Sequence, residues 1–157
     1  MTSTHRGHGH TLAKGARIDR SLAELYGRAT GYCKGKGGSM HLADFSVGML
    51  GANGVVGGGF NIATGAALTI KQRHGSDVAV CFFGDGASSR GTFHEAVNLA
   101  ASWKLPVIYV CENKRVGIHH PLRRHQERGL PVGTRSGIRH PRCHRRRQRR
   151  RIRARRL

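Results

Sequence analysis

Read for the spacing of apolar and polar positions, the chain divides at about residue 113. Residues 17–28, RIDRSLAELYGR, place Ile18, Leu22 and Leu25 on one face of a predicted helix. GYCKGKGGSMH is then a glycine–lysine loop, and VGMLGANGVVGGGF is richer still in glycine. NIATGAALTIKQRHG reads as a well-packed helix with small residues on its buried face, stopped by Gly75. DVAVCFF, residues 77–83, is a nearly continuous apolar run, the pattern of a central parallel strand. GDGASSRG makes a turn, and TFHEAVNLAASWK is a third helix with Thr92 and Glu95 at capping-box spacing. After Pro106, VIYVCEN is another buried strand. Strand, glycine turn, helix and strand in that order predict a right-handed βαβ core over residues 45–113, in a parallel α/β sheet.

Charge sharpens this division. The chain carries 28 Lys and Arg against 8 Asp and Glu, a net of +20, which taken whole describes a nucleic-acid binder. Residues 1–113 hold 11 of the cations and 7 of the acids, however, while residues 114–157 hold 17 and one, Glu127. The basicity belongs to the tail and does not classify the domain at 1–113. A tail so polar and self-repelling cannot offset its ordering entropy, so disorder is expected there. Non-specific binding to RNA or DNA phosphates is open to any such segment. A non-enzymatic basic protein is therefore the alternative to an enzyme.

Cys33, Cys81, Cys111 and Cys143 show neither CxxC nor zinc-like spacing. Cys81 and Cys111 sit in apolar runs and read as small buried hydrophobes. MTSTHRGHGH lacks the apolar stretch of a signal peptide, and no run is long enough to span a bilayer. The expectation is a cytoplasmic, reducing location and no membrane partner.

The candidate chemistry lies at the turn Gly84-Asp85-Gly86. In parallel sheets ligands bind at the carboxyl ends of strands. Glycines let the backbone approach an anion, and a following helix start offers N–H groups to phosphate. Asp85 supplies a hard oxygen suited to Mg²⁺, and Asn113, at the end of the next strand, could bring an amide oxygen beside it. Together they read as a metal–diphosphate site. A plain tight turn is the simpler reading of GDG alone; the complete strand–helix–strand from Gly86 to Asn113 favours the site.

GDGASSRGTFHEAVNLAASWKLPVIYVCEN resembles the thiamine-diphosphate motif as it occurs in alpha subunits of 2-oxo acid dehydrogenases, of the pyruvate and acetoin dehydrogenase types. THRGHGH, ELYGRATGYCKGKGGSMHLAD and LGANGVVGGG are similar to the same family in the same order, over nearly all of residues 2–113. The lysine–glycine loop separates this family from transketolases and acetolactate synthases. The resemblance implies a partial thiamine-diphosphate-binding fold with thiamine diphosphate and Mg²⁺ as cofactors. Asp85 would be a metal ligand, Gly84, Gly86 and Ala87 would hold the diphosphate, and His5 and Arg6 would lie beside the phosphates. Gly54 and Val56 would meet the aminopyrimidine ring through their backbones. The implied reaction is oxidative decarboxylation of pyruvate or a related 2-oxo acid, or cleavage of acetoin, with acyl transfer to a lipoyl carrier. A beta subunit and a lipoyl acyltransferase core are the implied partners.

Other side chains are weighed beside these. His5, His8 and His10 suggest a metal cluster that nothing downstream completes; a polar wall of the cofactor entrance is the family reading. His41 and His94 are read as structural, and Phe93 and Trp103 as core. Arg90 is left open between phosphate and solvent.

The sequence also departs from the family. Where the pattern has a second asparagine after CE, this chain has Lys114, which has no acceptor and cannot coordinate a cation. Asn113 and the backbone carbonyl of Val116 remain as candidate ligands, and the Mg²⁺ dependence is expected to be weak. The family continues beyond this point into a loop with a catalytic histidine, and starts earlier, so the chain reads as a fragment, inactive alone. Arginine codons of the CGN type read one nucleotide later begin with G. Residues 134–150 then permit RAAGYGIPGVTVDGNDV, which is similar to the family's continuation. A single-nucleotide frameshift near residues 114–119 is the expectation.

Overall fold

The computed structural model describes residues 1–113. A wholly parallel sheet is built from β1 (Thr2–Thr4), β2 (Gly51–Asn53), β3 (Ala79–Gly84) and β4 (Val107–Glu112), in the spatial order β2-β1-β3-β4. The helices are α1 (His8–Ala13), α2 (Ile18–Leu25), α3 (Gly58–Gln72) and α4 (Gly91–Ser102). The parallel α/β class is the one the periodicity predicts. The core reaches further than residues 45–113, because β1 sits between β2 and β3. The basic tail, with Lys114, Val116 and Cys143, lies outside the described residues.

Burial along β3 alternates: Ala79, Cys81 and Phe83 are buried, and the residues between them only partly. The buried set meets Phe60, Ala63 and Ala67 of α3 and Ala96 and Ala100 of α4 in one core. Alanines on both helices allow close approach, leaving the volume to aromatic rings. Phe60 stands edge-to-face with Phe83 at 4.9 Å and with Phe93 at 5.3 Å between centroids. On the other face, His10 of α1 stacks on Phe82 at 4.1 Å. Its Nδ1 lies 2.8 Å from Ser3 Oγ and its Nε2 3.5 Å from Glu112 Oε1, so one side chain ties β1, β3 and β4. Ile108 on β4 remains half exposed.

α2 is turned against its own pattern. Ile18, Leu22 and Leu25 are exposed, while Ser21 and Glu24 are buried. A charge facing inward needs partners, and Glu24 has four. Its Oε2 accepts the N–H groups of Cys33 (2.7 Å) and Gly35 (2.8 Å), and its Oε1 those of Gly37 (2.8 Å) and Gly38 (2.9 Å).

Three further expectations are corrected. Trp103 is half exposed, whereas Phe93 packs against the core. Cys81 is buried but Cys111 is exposed, because β4 is the last strand of the sheet among the described residues. Thr92 is not a helix cap: α4 starts at Gly91 behind Arg90, and the Thr92 hydroxyl lies 3.5 Å from the Gly57 carbonyl. The starts of α3 and α4 touch here. Gly57 has φ 85°, and a Cβ on it would stand 2.7 Å from Thr92 Oγ1.

The helix stop at residue 75 is also displaced. His74, at φ 53°, takes the left-handed position after α3, and Lys104, at φ 49°, does the same after α4. The Gly75 N–H then reaches Ile70 O and the Leu105 N–H reaches Ala100 O, both at 2.9 Å, closing the helix ends. A side chain in that conformation costs about 1 kcal/mol. His74→Gly and Lys104→Gly are each expected to raise stability by up to about 1 kcal/mol, measured as a higher urea midpoint. A lowered midpoint in both would show that the side-chain contacts outweigh the backbone strain.

Candidate functional site

Every described residue singled out for binding lies at or just beyond the carboxyl end of a strand. β1 runs out into His5 and Arg6, β2 into Gly54 and Val56, β3 into Asp85, Gly86 and Ala87, and β4 into Asn113. Gly84 pairs with Glu112, so Asp85 and Asn113 each follow the last paired residue of adjacent strands. The chain leaves β1 towards β2 on one side and leaves β3 towards β4 on the other. The crevice between the ends of β1 and β3 is therefore the switch point where parallel sheets take ligands. Neighbouring strands are about 4.8 Å apart, so the four ends span about 14 Å. This suits an elongated ligand.

The turn after β3 is preformed. A 3₁₀ turn, Asp85–Ser89, stands between β3 and α4, so GDG does not feed α4 directly as the sequence suggests. The Ser88 hydroxyl donates to Asp85 O at 2.6 Å and that of Ser89 to Gly86 O at 3.0 Å. Ala87 is buried in the core and anchors the turn from below. Asp85 Oδ2 is buried yet has no hydrogen-bond partner among the described residues. Such an oxygen carries an unrecovered desolvation cost, which a cation would relieve. A Cβ at Gly84 or Gly86 would meet nothing within 4 Å, so neighbouring atoms do not require glycine at either position. The space beside the turn is open for a ligand to approach the backbone.

The histidines of the first segment diverge. His8 Nε2 lies 2.8 Å from Ser39 Oγ, while His10 is engaged with Ser3 on the second face. Half-buried His5 and exposed Arg6 stand at the β1 end, where the Arg6 N–H donates to Thr4 Oγ1 at 3.3 Å. Arg90 is exposed before α4. Val56 is half exposed beyond β2, and His94 is exposed on α4.

Two residues gain importance from the fold. Glu24 fixes the glycine–lysine loop, and burial pushes its carboxyl up, but the four backbone N–H donors outweigh this and hold it below the ordinary glutamate value. The loop then delivers His41 to the β2 end. The His41 ring stands 3.4 Å from where a Cβ on Gly54 would be. Two lysines and the glycines around them mark the loop in the sequence, but nothing there shows the acid that organises it.

The family model described as "Dehydrogenase E1 component" matches residues 1–136. The alpha subunit of the acetoin:2,6-dichlorophenolindophenol oxidoreductase of Bacillus subtilis is 63% identical over 122 residues, 78% of this chain and 37% of that protein. Its counterpart in Cupriavidus necator is 56% identical over 113 residues, 72% of this chain and 34% of that one. The chloroplastic pyruvate dehydrogenase E1 component subunit alpha-3 of Oryza sativa is 43% identical over 131 residues, covering 76% and 31%. The chain thus spans about a third of the length of the curated relatives it matches. A family match over most of its residues, on a parallel sheet with these strand ends, settles the affiliation: the chain belongs to the dehydrogenase E1 component family.

Proposed function

We propose that residues 1–113 are the cofactor-binding domain of an alpha subunit of a thiamine-diphosphate-dependent dehydrogenase acting on acetoin or a 2-oxo acid such as pyruvate. The observation that carries this reading is the buried Oδ2 of Asp85, without a partner among the described residues, beside two glycines that face open space. A hard carboxylate oxygen, with Asn113 following the end of the neighbouring strand, fits Mg²⁺ better than a softer ion. Asp85 and Asn113 would hold Mg²⁺, with the Val116 carbonyl as a further ligand. The backbones of Gly84, Gly86 and Ala87 would hold the diphosphate, with His5 and Arg6 beside it. Gly54 and Val56 would take the ring end.

Bound there, thiamine diphosphate supplies the electron sink for cleavage beside a carbonyl. The chain's own part is to hold and orient. Asp85 would fix the anionic end through the Mg²⁺ it would hold, the serine-stapled turn would keep its N–H groups in place, and the β2 end would set the direction of the ring. A beta subunit supplies the remaining wall, a lipoyl acyltransferase core is the acyl acceptor, and the cytoplasm is the setting.

Titration calorimetry with thiamine diphosphate, with and without Mg²⁺, tests the site. Mg²⁺ is expected to tighten binding modestly, Lys114→Asn to enlarge that gain, and Asp85→Asn to abolish it. Even outer partners of a metal ligand are worth about 10- to 100-fold in affinity. The effect of Asp85→Asn in the Lys114→Asn background is therefore expected to reach about 100-fold. Equal binding by all variants, with or without Mg²⁺, overturns the reading. The arginine-rich segment is, in this proposal, an out-of-frame translation of the family's continuation. The coding DNA tests that separately: a shifted frame that fails to continue the family sequence excludes it.

A further inference from the structure

The loop that Glu24 clamps ends at an imidazole with no structural task. His41 is exposed, and its ring lies beside Gly54 at the end of β2. The imidazoles of His8 and His10 are each committed to a serine hydroxyl, whereas the His41 ring nitrogens have no hydrogen-bond partner among the described residues. The backbone beneath the ring is nonetheless fixed from several sides. The Cys33 thiol donates to His41 O at 3.1 Å, Ser39 is paired with His8, and Leu42 is fully buried while its carbonyl accepts the Ala52 N–H of β2 at 2.8 Å. A side chain held this firmly and left uncommitted is placed to meet something outside the chain.

We infer that His41 is a specificity-determining residue of the site, packing against the heteroaromatic end of the ligand whose diphosphate end lies at Asp85. This rests on the metal–diphosphate reading. β2 and β3 are separated by one intervening strand, so their ends are about 10 Å apart. His41 therefore stands well away from the phosphate-binding turn and contributes to recognition of the ring alone. A ring-on-ring contact of this kind is worth about three- to tenfold in affinity.

The prediction separates the two ends of the ligand. Thiamine diphosphate and inorganic diphosphate, each with Mg²⁺, are titrated against the full chain, His41→Ala and Asp85→Asn. His41→Ala is expected to weaken thiamine diphosphate by about three- to tenfold and to leave inorganic diphosphate unchanged. Its urea midpoint should match the parent, because the side chain is exposed. Asp85→Asn is expected to weaken both ligands. If His41→Ala leaves thiamine diphosphate unchanged, or weakens both ligands equally, the assignment fails while the Asp85 reading stands. If Asp85→Asn changes neither affinity while His41→Ala acts on thiamine diphosphate alone, the metal–diphosphate reading fails and His41 is left as a ring contact of a ligand whose anionic end is held elsewhere.

Discussion

Replacing Glu24 by glutamine is expected to destabilise the domain by roughly 3 kcal/mol, a loss present in full above about pH 4.5 and shrinking as pH falls below it. The amide keeps one acceptor oxygen and turns an NH₂ group towards the other pair of donors. Either Cys33 and Gly35 or Gly37 and Gly38 are then left facing a donor. Each such N–H costs about 1–3 kcal/mol when it cannot find water. The competing view of Glu24 is a surface residue paired with Arg20, one helical turn before it, for which the loss would be about 0.3–0.5 kcal/mol. The gap between these magnitudes decides the matter by urea denaturation. A loss under about 1 kcal/mol rejects the clamp.

The pH dependence has a defined sign. The Glu24 carboxyl is held below its ordinary value of 4.5, so its stabilisation is complete above that value and drains away as pH falls through the depressed one. Asp44 adds to the same trend, because the Ser46 hydroxyl and N–H hold its carboxyl below its ordinary value of 3.8. Urea midpoints measured from about pH 7 to about pH 3 should therefore fall steeply in the parent below about 4.5 and more gently in Glu24→Gln. Parallel curves would show that Glu24 does not titrate with folding.

Asp85→Asn should move stability and binding in opposite directions. In the unliganded chain Asp85 Oδ2 is buried with no partner among the described residues, a desolvation cost with no return. An amide in its place is neutral and cheaper to bury, which should raise unliganded stability by about 1–2 kcal/mol. The same change removes the hard oxygen on which the proposed Mg²⁺-dependent gain in thiamine-diphosphate affinity would rest. The measurement pairs thermal denaturation without ligand against titration with it. A variant less stable than the parent and still binding with full Mg²⁺ dependence would make Asp85 a structural residue of the turn.

Asp85, Asn113 and the glycine turn were legible as a candidate site because a strand, turn, helix and strand in fixed order leave the turn at the carboxyl edge. Local pattern is enough for that. The apolar runs of β3 and β4 and the small-residue face of α3 were equally legible, since backbone period and side-chain volume settle them within a few residues. β1 and β2 were not. Thr2–Thr4 and Gly51–Asn53 are three-residue strands without an apolar alternation. They exist because the sheet pairs them, with Thr2 level with both Gly51 and Cys81. Glu24 was hidden in a helix whose periodic leucines point the other way, because its partners are backbone groups 9 to 14 residues on. His41 had no distinguishing neighbour in the sequence, since Gly54 meets it only once the loop has closed. What the amino-acid order determined by itself was the class of fold and the placement of the glycine turn at a strand end. The approach of His41 to Gly54, and the Glu24 carboxylate that organises the loop before it, depend on contacts between segments far apart in the chain, and those only the tertiary structure decided.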